Sequence, residues 1–182
     1  NRSSVIHGKD WGTVCAFHID TVTGLLSLIN EQSSYGRGPC HISFDITGKF
    51  AFVSNYVDGS LAVFAVNNNG SVSDSLQLIR HYGKGSNAER QENAHVHSAI
   101  ISPDNKFLYV ADLGIDKVMI YTLGSGSGLL KPAEIPFTEA EPGSGPRHIT
   151  LHPNGRVAYL AEELSSTTCV FARDTVQGSL EQ

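Results

Sequence analysis

With 182 residues, 40% hydrophobic and 17% charged, the chain has the composition of a soluble globular protein able to bury one core. A formal net charge of −5 argues against nucleic acid and against an anionic membrane surface as partners, because both favour basic patches. No apolar run approaches the roughly 20 residues that span a bilayer, and three cysteines are too few and odd in number for a disulfide framework.

The opening Asn1-Arg2-Ser3-Ser4 reads as neither a methionine start nor a signal peptide. The first apolar strand is Val14-Cys15-Ala16-Phe17. From there three windows align without a gap: Cys40–Ala65, His97–Thr122 and Arg147–Ala172. Each begins with an apolar strand and passes through a small polar turn. The turns are Ile46-Thr47-Gly48-Lys49, Pro103-Asp104-Asn105-Lys106 and Pro153-Asn154-Gly155-Arg156. A second strand follows, at Phe50–Val53, Phe107–Val110 and Val157–Leu160. A third closes each window, at Leu61–Phe64, Val118–Tyr121 and Thr168–Phe171, and Val14–Phe17 falls in that column as well. Cys15 and Cys169 share one of its positions and are read as small packed hydrophobes of a reducing compartment.

Periods of this length with several short strands each mark propeller blades. The expected fold is therefore all-β, a β-propeller of four-stranded antiparallel blades. The repeat units run over about 1–35 (incomplete), 36–93, 94–142 and 143–182, the last stopping after its third strand. About three and a half blades are present, so the chain is expected to be part of a longer propeller whose remaining blades come from the rest of that chain. Three connections between strands stand out. Asn69-Gly70-Ser71 reads as a hairpin turn rather than a glycosylation acceptor, and Gly124–Gly128 as a flexible hairpin loop. Arg80–Asn93 is polar, charged and longer than a blade crossing needs, which makes it either a binding loop or a solvated excursion.

Counting residues back from each turn pairs Arg147 with Glu162, His97 with Asp112 and Cys40 with Asn55. One rim of the blades thus collects His97, Arg147, Asp112, Glu162 and Glu163, with Asn55, Tyr56, His41, His95 and His148 nearby. Titratable groups at the ends of apolar strands call for a binding explanation. Several remain open on the residues alone. His95 and His97 stand two apart, as metal ligands can, with His148 or Glu163 completing a set. Asn55 and Asp112 fit a purely structural role that ties blades together. No Gly-x-Ser-x-Gly elbow supports a serine nucleophile. A propeller that binds protein on its rim would show exposed aromatic patches, whereas the single tryptophan, Trp11, lies away from the column.

Several motifs, in order and spacing, resemble the seven-bladed lactonase family of bacterial propeller-type 6-phosphogluconolactonases and fungal 3-carboxy-cis,cis-muconate lactonizing enzymes. They are Pro39-Cys40-His41, Ser54-Asn55-Tyr56, Arg90-Gln91-Glu92 leading into His95-Val96-His97, Asp112–Asp116, Gly145-Pro146-Arg147-His148 and Glu163-Leu164. The resemblance covers about Gly12 to Phe171 and implies seven blades. It places His97, Arg147 and Glu163 on three of the four proposed active-site positions of the lactonizing branch, with His95 as an alternative to His97. Arg90, His95, His148, Asn55, Asp112 and Glu162 are then the candidate substrate-binding residues. Glu162 departs from the asparagine common before the Glu-Leu pair, and Glu163 reaches the face of Arg147 only across a bulge.

The implied activity is hydrolysis of a small anionic lactone, 6-phosphogluconolactone of the pentose phosphate pathway, by a cytoplasmic enzyme without cofactor or metal. A muconate cycloisomerase and a non-catalytic scaffold are the alternatives. His97, titrating near neutral pH, would be the general base, Arg147 would hold phosphate or oxyanion, and Glu163 would orient Arg147 or deliver a proton.

Overall fold

The computed structural model describes residues 4–6 and 9–182, and every regular element among them is a strand. Residues 1–3, on which the reading of the N-terminus partly rests, lie outside the described residues. β1 (Ser4–Ile6) and β2 (Lys9–Trp11) pair as a hairpin, and β3 (Thr13–Ile19) pairs with β4 (Leu26–Ser33). Three four-stranded antiparallel meanders follow. The first holds β5 (Pro39–Phe44), β6 (Phe50–Asn55), β7 (Ser60–Val66) and β8 (Val72–Arg80). The second holds β9 (Val96–Ile101), β10 (Phe107–Asp112), β11 (Lys117–Leu123) and β12 (Leu130–Glu139). The third holds β13 (Pro146–Leu151), β14 (Val157–Glu162), β15 (Thr167–Arg173) and β16 (Leu180–Glu181). The last unit therefore does not stop at its third strand. Gly178, in the left-handed region at φ 80°, turns the chain back so that Leu180 and Glu181 pair with Arg173 and Ala172.

The sheets stack face to face because each middle strand is apolar on both sides. Phe50 and Phe52 of β6 pack with Val96, Leu108 and Val110 of the next sheet, while Ala51 and Val53 face Val14 in the preceding one. One unit later Phe107, Tyr109 and Ala111 face Ile149, Ala158 and Leu160, while Leu108 and Val110 face backward. Burying a strand on both faces calls for a continuous apolar run, and these strands have one. At the two ends of the arc the same columns lie open. Phe17, Ile19, Ile42 and Phe44 are exposed at one end, and Tyr159 and Val170 at the other.

The turns repeat in backbone conformation as well as position. Gly48, Asn105 and Gly155 share the left-handed region between the first two strands of each unit, as do Gly59, Asp116 and Ser166 between the next two. The outer hairpin carries glycine for a second reason. A Cβ at Gly128 would lie 2.4 Å from the Phe50 ring, and one at Gly178 would lie 2.4 Å from the Phe107 ring. Each outer hairpin thus presses its turn onto the leading phenylalanine of the sheet before it. Gly70, in the hairpin read from Asn69-Gly70-Ser71, has φ 82°.

Two polar clusters inside the stack are held by hydrogen bonds. His81 bridges Asp112 (Nδ1 to Oδ2, 2.7 Å) and the Tyr121 hydroxyl (Nε2 to Oη, 2.9 Å), all three buried. Burial, with Asp112 beside it, pushes the Tyr121 phenol up to about 12. Arg173 is equally enclosed and donates to the Tyr109 hydroxyl, the Gly155 carbonyl and Asp104.

Replacing Gly128 by alanine combines a left-handed alanine, costing about 1–2 kcal/mol, with overlap on Phe50 costing about 1–3 kcal/mol more. Gly24→Ala, at φ 75° with nothing within 4 Å of the new methyl, should carry the first cost only. Thermal unfolding should therefore show a distinctly larger drop in Tm for Gly128→Ala.

Candidate functional site

The register of the inner hairpins differs from the residue count at one point in each unit. Pro39 pairs with Asn55 and His41 with Ser54, leaving Cys40 as an extra residue. Val96 pairs with Asp112 and Ser98 with Ala111, leaving His97. Pro146 pairs with Glu162 and His148 with Ala161, leaving Arg147. The expected pairs Cys40–Asn55, His97–Asp112 and Arg147–Glu162 are each corrected by one position. The cause is a β-bulge that adds an unpaired residue to one strand and re-aims its side chain. The bulged residue is the variable column in all three units.

Released from the ladder, Cys40, His97 and Arg147 line one cavity of about 620 Å³, together with Asp10, Arg37, Gly38, Tyr56, Val57, Arg90 and Glu163. Glu163 follows β14, held by its amide on the Gly145 carbonyl at 2.8 Å. Its carboxylate accepts from Arg147 (Nε to Oε2, 2.7 Å) and from Arg90 (Nη2 to Oε1, 2.5 Å). Burial pushes its pKa up, but the two guanidiniums prevail and hold it below the usual carboxylate range.

Arg90 reaches this point because the Arg80–Asn93 stretch is folded about one buried side chain. Gln91 Nε2 donates to the Leu113 carbonyl and to Asp116 Oδ1, while its Oε1 accepts from the Asn87 amide. Asp116 also accepts from the amides of Gly143 and Gly145, just ahead of the strand that carries Arg147. One carboxylate therefore ties down the supports of both arginines.

His97 sits between the units, 8% exposed. Its ring meets Tyr56 edge-on at 5.6 Å and His148 at 5.0 Å, and Nδ1 is buried without a partner among the described residues. Burial, then the charge of Arg147, depresses its pKa to about 4, which corrects the expectation of titration near neutral pH. His148 is exposed, and burial and Arg147 lower its pKa too.

The other candidates lie elsewhere. His95 stacks flat on Tyr56 at 4.4 Å with Nδ1 2.9 Å from the Tyr56 carbonyl, so it supports the cavity wall from behind. Asn55, Asp112 and Glu162 close their ladders rather than the bulge and turn into the stack. Asn55 donates to the Ser34 carbonyl and the Ser60 hydroxyl. Asp112 accepts from the amides of His95 and Gly114 besides His81. Glu162 is 4% exposed and accepts from Thr167 and Cys169; burial and Glu162 raise that thiol to about 11. All three cysteines are free thiols. Among the described residues no group of three His, Cys, Asp or Glu side chains is arranged to hold a metal ion.

Arg37 was not among the residues singled out from the sequence. Its column holds Ala94 and Ser144 in the following units, so a long cation stands where the repeat otherwise places small buried residues. That contrast was the available signal.

Stacked four-stranded meanders define an arc of a β-propeller with a charged rim. The chain belongs to the seven-bladed β-propeller lactonase family, whose model matches residues 4–182. It is 36% identical over 171 residues to a 6-phosphogluconolactonase of Bacillus subtilis, covering 94% of this chain and 48% of that protein. It is also 36% identical over 167 residues to one of Formosa agariphila, covering 91% and 46%. The solved structure of a periplasmic gluconolactonase of Pseudomonas aeruginosa superposes with a TM-score of 0.87 at 34% identity, covering 96% of this chain and 49% of that one. The chain spans about half the length of the curated relatives it matches.

A histidine resonance with a midpoint near pH 4 should identify His97 in an NMR titration. Arg147→Met, by removing a positive neighbour, should raise that midpoint. Glu163→Gln, by removing a negative one, should lower it further.

Proposed function

We propose that this chain carries part of the active site of a lactonase that opens a small anionic sugar lactone, 6-phosphogluconolactone, to the hydroxy acid. The observation that carries this reading is the Arg90–Glu163–Arg147 bridge beside an uncharged, buried His97 in one cavity. Family membership and the names borne by its relatives support the choice of substrate.

Hydrolysis requires water to add to the ring carbonyl and the ring oxygen to depart. His97 is neutral at physiological pH and accepts the proton of the attacking water as the C–O bond forms. The carbonyl oxygen gains the negative charge, and Arg147 receives it. The guanidinium is already oriented by Glu163, so little reorganisation is needed as the charge develops. The imidazolium so formed is strongly acidic, because burial and Arg147 both oppose its charge. It returns the proton to the ring oxygen when the second C–O bond breaks, and one water has then been consumed per lactone. Glu163 stays ionised throughout and serves as the orienting anion rather than the proton donor.

In the intact protein, Arg147→Ala should lower kcat/KM for 6-phosphogluconolactone by about 10²–10³-fold, and His97→Ala by about 10²–10⁴-fold. Unchanged turnover in both would remove the site. The acid limb of kcat/KM should fall as pH drops through about 4, where His97 becomes protonated, rather than near the 6.5 of an ordinary imidazole.

A further inference from the structure

We propose that Arg37 is the specificity-determining residue of this cavity, the group that receives the distal phosphate of a phosphorylated sugar lactone. The assignment rests on the lactone-opening reading above and extends it to the far end of the substrate. Along the arc, Arg37 lies between the β3–β4 and β5–β8 sheets, His97 heads the next sheet and Arg147 the one after. His97 meets Tyr56 on one side and His148 on the other, so Arg37 and Arg147 approach the same cavity from opposite sides of the histidine. A lactone whose carbonyl meets His97 and Arg147 can direct its remote substituent along the wall formed by Tyr56, Val57 and Arg37.

Arg37 is built to take an anion there. Both oxygens of Asp58 hold it, one on its backbone amide at 2.9 Å and the other on Nε at 2.7 Å. That grip fixes the plane of the guanidinium and leaves its two Nη groups without a hydrogen-bond partner among the described residues, with the Asp10 carboxylate close enough to act on its charge. Two adjacent N–H donors in a fixed plane match two oxygens of a phosphate, which a lysine ammonium cannot do. The other two arginines of the cavity spend part of their capacity on Glu163, whereas the anchor of Arg37 lies outside the wall. Three arginines and two carboxylates, Asp10 and Glu163, line the cavity, with Asp58 behind Arg37 as its ion-pair partner. The column supports the same conclusion. Ala94 and Ser144, its equivalents, are 4% and 2% exposed and fill space, while the Arg37 side chain is 53% exposed and open to a ligand.

The test uses the intact protein and compares 6-phosphogluconolactone with unphosphorylated gluconolactone. Arg37→Gln should lower the ratio of kcat/KM for the phosphorylated over the unphosphorylated lactone by about 10- to 100-fold, chiefly through KM, and Arg37→Lys should recover part of it. An unchanged ratio overturns the assignment. Calorimetric binding of the two products, 6-phosphogluconate and gluconate, separates this proposal from the activity it rests on. Wild-type preference for the phosphorylated product that disappears in Arg37→Gln supports Arg37 even if no lactone is opened, in which case the proposed activity alone fails. No preference in the wild type, or a preference kept in Arg37→Gln, overturns the role of Arg37.

Discussion

The second strands of the two flanked sheets, β6 and β10, are buried on both faces, and most other features follow from that. A strand squeezed between two sheets has no solvent side on which to place a polar group, so charged side chains there need hydrogen-bond partners. The Asp112–His81–Tyr121 chain and the Arg173–Tyr109–Asp104 cluster meet that condition. The same pressure explains why the turns are so alike. Sheets that interlock at van der Waals distance leave no space for a Cβ where Gly128 and Gly178 cross Phe50 and Phe107. It also pushes any chemistry off the sheet faces and onto the rim.

At the rim, the extra residue at the head of each inner strand decides what is accessible. Without the bulge, Cys40, His97 and Arg147 would be ladder residues opposite Asn55, Asp112 and Glu162. With it, the ladder passes to the residue before each of them, Asn55, Asp112 and Glu162 turn inward to hydrogen-bond within the stack, and the column residue is freed for the cavity. One structural feature thus sorts the charged residues of this region into scaffold and site. Placing His97 there also sets its chemistry. The enclosure that removes water from the imidazole, with Arg147 as neighbour, keeps it uncharged and makes its conjugate acid strong.

The bridge between Arg90 and Arg147 depends on residues that do not line the cavity it faces. Gln91 anchors the loop from within, and Asp116, itself held at φ 52° by the turn it occupies, joins that loop to the backbone entering β13. A long polar connection that could have been a solvated excursion is instead a rigid support. The same contrast governs Arg37, whose guanidinium is fixed by Asp58 before any ligand arrives.

The sequence by itself determined the repeat, the all-β class, the positions of the strands and turns, and the column in which chemistry varies. These are consequences of local periodicity and turn residues, which act over a few positions. It also contained the residues of the site, since the His97, Arg147 and Glu163 motifs are contiguous segments. It did not determine the register at the strand heads, because a bulge has no fixed residue signature and a one-residue slip exchanges the two faces of a strand. Residue counting alone set Glu162 opposite Arg147, the motif resemblance pointed to Glu163 across a bulge, and the tertiary structure placed Glu162 on Thr167 and Glu163 on two arginines. The burial that depresses His97, the folding of the Arg80–Asn93 loop around Gln91, and the arrival of Arg37 at the cavity likewise arise between units far apart in the chain. Contacts of that range are decided by how sheets stack, and the stacking exists only in three dimensions.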